Sequence, residues 1–179
     1  MRTWMRGVLC CAVLMWMPVH AWAQGPRLQL DKLTRLASQA SEVTDIALDP
    51  AMLQLAGNFV SAQNDDSRAI KELLGSLKGV YVKTYQFDRD GAYTAADVES
   101  VRGQLTGNWT RLVATESKKE QGRELVEIYS WREGERMGGL AILVAEPREL
   151  TVVNIVGPID LTRLAALRGQ LGIPNVPIK

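Results

Sequence analysis

Two stretches of this sequence carry side chains whose types and spacing could do chemistry. Asp88-Arg89-Asp90-Gly91, followed by Asp97, resembles an oxygen-rich calcium loop. Aligning Gly91 with the loop glycine puts Gln86 at the first ligand position and a short carboxylate, Asp97, where a bidentate Glu is needed. An Asp-Gly turn leading into a capped helix fits the same residues better, and no metal or other cofactor is expected. Glu124 with Glu127, or Asp88 with Asp90, could act as carboxylate pairs in acid–base catalysis. Carboxylates on a half-exposed strand or a turn are more often plain solvated charges. Lys118 and Lys119 fall in a turn, where the burial that lowers a lysine pKa is not expected.

Other residues suggest binding. Tyr129 and Trp131 are two apart on one strand and so share a face with Leu125, and Trp109 lies on the strand before. If that face is open, Tyr129, Trp131 and Trp109 form an aromatic patch for a partner protein, peptide or glycan. Core packing beneath the helices is the commoner arrangement for such residues. Asn154 sits inside the apolar run Val152-Val153-Asn154-Ile155-Val156, where an unsatisfied amide costs about 1–3 kcal/mol, so it must have a hydrogen-bond partner. Gly138-Gly139 opens an apolar strand and suits either a bulge or a close approach of backbone or ligand.

The remaining chemistry is limited by what the mature chain lacks. Arg2 and Arg6 precede an uncharged apolar core at residues 7–19, and Ala21-Trp22-Ala23 is the small-x-small pattern of a signal-peptidase site. Residues 1–23 are therefore expected to be a signal peptide. The apolar run is shorter than the roughly 20 residues of a spanning helix, and Cys10 or Cys11 would leave too short a segment ahead of a lipidated cysteine. Both cysteines and the only histidine, His20, leave with the leader. A chain from Gln24 onward then has no disulfide, thiolate nucleophile, Ser-His-Asp triad or Cys/His zinc site. Without Arg2 and Arg6, 19 Lys and Arg face 20 Asp and Glu with no long like-charge run, so nucleic acid is not an expected partner.

The elements that would hold these residues follow from periodicity. Residues 30–40 predict a short amphipathic helix, more loosely held than the rest, and residues 42–48 a strand. Asp49-Pro50 predicts a helix start, with Met52, Leu55, Ala56, Phe59 and Val60 turned inward. A second helix should bury Ile70, Leu73, Leu74 and Leu77, followed by a strand at 80–87. Thr94 and Asp97 form a capping-box pattern for a helix burying Val98, Val101 and Leu105. Strands are expected at 109–116, 124–132, 136–145 and 150–157, then a helix after Asp160. The fold class is α+β: a mainly antiparallel sheet, with a C-terminal four-strand meander and helices packed on one face. The expected organisation is a helical segment at 24–41, one domain at 42–170 and a tail at 171–179. Residues 140–145 and 151–156 are apolar on both faces. The face without helices would be covered by residues 24–40, by the tail, or by a partner or second copy with Tyr129 and Trp131 at its rim, the last being the favoured case.

The runs LAILVAE at 140–146 and ELTVVNIVGPID at 149–160, with MLQLA at 52–56, IKELL at 70–74 and VYV at 80–82, resemble the bacterial domain-of-unknown-function family 4252. The resemblance implies an exported bacterial protein and brings no activity that can be placed on particular residues. The expected function is a periplasmic or otherwise exported, soluble binding or interaction module in envelope homeostasis, with an envelope protein or a second copy as partner. The alternative is a carboxylate-dependent hydrolase acting on an envelope polymer.

Overall fold

The structure, a computed structural model, describes residues 25–61, 65–119 and 122–159. The leader, the helix expected after Asp160 and the tail lie outside the described residues. A 3-10 helix (Asp31–Ser38) leads into β1 (Glu42–Leu48), α1 (Pro50–Phe59), α2 (Asp65–Ser76) and β2 (Gly79–Gln86). Then come α3 (Ala95–Arg102), β3 (Trp109–Lys119), β4 (Gly122–Glu133), β5 (Arg136–Glu146) and β6 (Glu149–Val156). The strands form one antiparallel sheet in the order β1-β2-β6-β5-β4-β3. β2 pairs with β6, so the β1–β2 pair is joined to the rest of the sheet by strands far apart in sequence.

The helices cover both faces of this sheet, not one. Along β5, Ala141, Leu143 and Ala145 enter one core while Leu140, Ile142 and Val144 enter the other. Side chains alternate across a strand, so a strand apolar at every position needs cover on each side. The back face is packed by Leu53 of α1 and by Leu73 and Leu74 of α2, with Leu77 just beyond it. The front face is packed by Val98 and Val101 of α3 and by Leu28, Leu33 and Leu36 of the N-terminal segment. Of the covers expected for the face without helices, the N-terminal segment packs here, where a partner was the favoured one and the segment was expected to be more loosely held. Leu33 and Leu36 are instead among the most buried side chains, because a helix of three residues per turn stacks positions three apart on one side.

Two primary amides bind the segment to the front face. Asn154 Oδ1 accepts from Leu28 N–H (2.9 Å), and Asn154 Nδ2 donates to Pro26 C=O (2.9 Å) and Leu140 C=O (3.3 Å). Gln104 does the same one step further on, accepting from Gln29 N–H (2.7 Å) and donating to Gln29 C=O (2.9 Å). Each amide presents an acceptor and a donor side by side, as a neighbouring strand would. Gly138 is skipped in the β4–β5 register, where Trp131 pairs with Gly139 and Arg132 with Met137. A Cβ on Gly139 would lie 2.6 Å from Pro26 Cβ. The glycine pair thus serves both a bulge and a close backbone approach.

α1 begins as expected: the Asp49 carboxylate accepts from Met52 N–H (2.8 Å), and Pro50 opens the helix. Its inward face differs from the expected one. Leu53 and Gly57 are buried, whereas Met52 (49 % exposed), Leu55 (50 %) and Phe59 (80 %) face out. The side of α1 that carries Leu53 and Gly57 is the one that docks, with Gly57 next to Lys71 and Leu74 of α2.

A candidate ligand groove between α3 and the β3–β4 hairpin

The front sheet and α3 leave an open groove at the far end of β3 and β4. α3 is placed by its first turn, where the Asp97 carboxylate accepts from the backbone N–H and the hydroxyl of Thr94, each at 2.8 Å. Arg35 of the 3-10 helix also pairs with Asp97. Asp97, the last carboxylate of the calcium-like stretch, is thus engaged as a helix cap and an ion-pair partner. Asp90, in the same stretch, pairs with Arg148 at 2.6 Å.

The apolar part of the groove has a volume of about 530 Å³ and is lined by Tyr93, Val98, Leu125, Ala145 and Pro147. A polar part of about 460 Å³ continues from it past Arg111, Thr115 and Glu116. The two parts share Glu99, Arg102, Arg123 and Leu125. Gly122 allows the wall to close, since its φ is +123° and a Cβ there would lie 2.7 Å from Pro147. The Tyr93 hydroxyl donates to the Glu146 carbonyl, and burial, reinforced by the Glu146 and Glu149 charges, pushes its phenol up to about 12.

Glu127 anchors the polar part. It is 2 % exposed, yet every contact its carboxylate makes is with a donor: Arg102 Nε at 2.7 Å, Arg111 Nη1 at 3.2 Å and the Tyr129 hydroxyl at 3.1 Å. Arg102 also pairs with Glu99, and its guanidinium is held even further above its ordinary value by the Glu127 hydrogen bond, against the opposing effect of burial. Burial, with the Glu127 charge added, raises the Tyr129 phenol. Glu127 is buried while its arginine partners are partly exposed, and the pair with Arg102 ties α3 to the sheet. Arg123 differs: among the described residues its ion pair is with Glu116 at 2.7 Å, between two exposed side chains.

The aromatic residues expected at a binding surface lie beneath α3 and the N-terminal segment. Tyr129 (7 % exposed), Trp131 (6 %) and Trp109 (7 %) belong to the front core, where the two indoles meet edge to face at 5.6 Å. The expected aromatic patch is therefore interior, because residues 26–38 cover the face that would have exposed it. The expected pair Glu124 and Glu127 is also separated, since odd and even positions of β4 point to opposite faces. Arg102, Arg111 and Arg123 were not singled out from sequence. Glu127 did leave a signal there: it continues the inward series Leu125, Tyr129, Trp131, and a carboxylate in such a series requires cationic partners.

A family model described as a domain of unknown function, DUF4252, matches residues 38–167. No curated protein matches the chain. A solved structure described as "Structure of crystal form III of TP0453" aligns over 74 % of this chain at 15 % identity and a TM-score of 0.20, a value too low to assign a fold. The chain spans half the length of that protein.

Proposed function

Because the chain belongs to the DUF4252 family, whose description assigns no activity, we propose from its geometry that it is an exported, periplasmic binding module serving the cell envelope, with its ligand in the groove beside α3. The leader pattern at residues 1–23 supports export. Among the described residues, no helix is long and apolar enough to cross a membrane. One observation carries the binding reading: among the described residues, each carboxylate lining the groove already has an arginine partner. Asp90 holds Arg148, Glu99 holds Arg102, Glu116 holds Arg123, and Glu127 holds Arg102 and Arg111. A glycoside hydrolase of the usual kind needs one carboxyl poised to donate a proton and a second turned toward substrate or water. Here the oxygens are occupied in holding cations, which suits a preorganised binding surface better than acid–base chemistry.

The test uses protein recovered from the periplasmic extract of an expressing cell. Edman sequencing should begin at Gln24, and intact residues 1–23 in the membrane fraction would reverse the export reading. Two-dimensional NMR with a panel of envelope-derived small molecules should then show shifts at Val98, Arg102, Arg123 and Leu125 without turnover. Turnover of a glycan fragment that Glu99→Gln abolishes would replace the binding module with the hydrolase.

A further inference from the structure

We infer that the groove takes a small anionic amphiphile, a carboxylate or phosphate head on a short apolar tail; this rests on the binding reading above. The tail has a place in the apolar part, against Val98, Leu125, Ala145 and Pro147. Arg102 and Arg123 line both this part and the polar part that continues from it. A ligand lying along it therefore brings its two ends to chemically different walls. The guanidinium forks of Arg102 and Arg123 match a carboxylate or phosphate head in shape and charge, and such a head competes there with the carboxylates that already hold them.

The arginines differ in how freely they can turn to a ligand. Arg111 and Arg102 are tied to the buried Glu127. Among the described residues Arg102 donates to carboxylates through Nε and Nη1, not Nη2. Among the described residues Arg123 pairs with the exposed Glu116, and an ion pair between two exposed side chains contributes little. A ligand head can replace Glu116 there at little cost. Arg123 closes on the head while Arg102, held still by Glu127, receives it.

The experiment is a titration of the full mature protein with decanoate, decyl phosphate, decyltrimethylammonium, decyl maltoside and acetate, each below its critical micelle concentration. Binding is read by calorimetry and located by NMR. Decanoate or decyl phosphate should bind with shifts at Val98, Leu125 and Ala145, weaken as salt rises, and lose about 10-fold in affinity in Arg123→Gln. Arg123→Lys should recover part of that loss. Arg123 is exposed, and an unchanged urea midpoint verifies that the variant is folded. Acetate binding as tightly as decanoate would overturn the tail. Equal binding of the maltoside or the cation, or an unchanged Arg123→Gln, would overturn the anionic head while leaving a binding groove in place. No shift in the groove with any probe overturns the inference, and silence from the envelope panel as well removes the binding reading with it.

Discussion

The amide of Asn154 holds the backbone of Leu28 across 126 residues of sequence, accepting its N–H at 2.9 Å. With Nδ2 donating to Pro26, this one side chain joins the first described residues to the last strand of the sheet. It also determines what the front face can be. Covered by residues 26–38, the face is a core, and the groove lies at its far end.

Replacing Asn154 with Ala should cost about 2–4 kcal/mol, since Leu28 N–H and Pro26 C=O lose a buried partner at about 1–3 kcal/mol each. Urea unfolding measures the loss, and hydrogen exchange locates it: the Leu28 amide should lose protection first. A midpoint unchanged within about 0.5 kcal/mol would mean that the contact contributes nothing to stability.

Gly139→Ala should destabilise by about 1–3 kcal/mol, because the new methyl would sit 2.6 Å from Pro26 Cβ and 3.3 Å from both Ile155 O and Trp131 Cβ. Adding Pro26→Gly removes the closest of these contacts. The double variant should recover part of the loss, with a coupling of at least about 0.5 kcal/mol. Strict additivity would place the strain elsewhere.

The orientation of α1 can be read from two substitutions. Leu53→Ala should cost about 2–5 kcal/mol, as for a fully buried leucine. Phe59→Ser should stay within about 0.5 kcal/mol of wild type, because 80 % of that side chain is already in water. The opposite ranking would restore the inward face expected from the sequence.

Stability should fall at alkaline pH partly through Tyr93. Burial raises its folded value to about 12, above the value near 10 of an unfolded tyrosine. The folded state thus keeps a proton that the unfolded chain gives up. The stability from this group is fully present below about pH 10 and is lost as pH rises toward 12. Tyr93→Phe should lie lower at pH 8, through the lost bond to the Glu146 carbonyl, and then decline less steeply than wild type above pH 10. Parallel curves would assign the alkaline loss to other groups.

Features governed by neighbours a few residues away were legible in the sequence. Asp49-Pro50 starts α1, Thr94 and Asp97 open α3, and β1 occupies the predicted residues 42–48. Capping and strand alternation depend on side chains within one turn or one pleat. The need for a partner at Asn154 was also legible, since a buried amide is costly anywhere; that its partners would be Pro26 and Leu28 was not. The tertiary structure alone decided which side of α1 docks, what covers Tyr129 and Trp131, and which arginines surround Glu127. An apolar residue carries no mark of which surface it will meet. Covering a face already apolar at Tyr129 and Trp131 takes only a segment that reaches it, here residues 26–38, and that reach is set by contacts more than 100 residues apart.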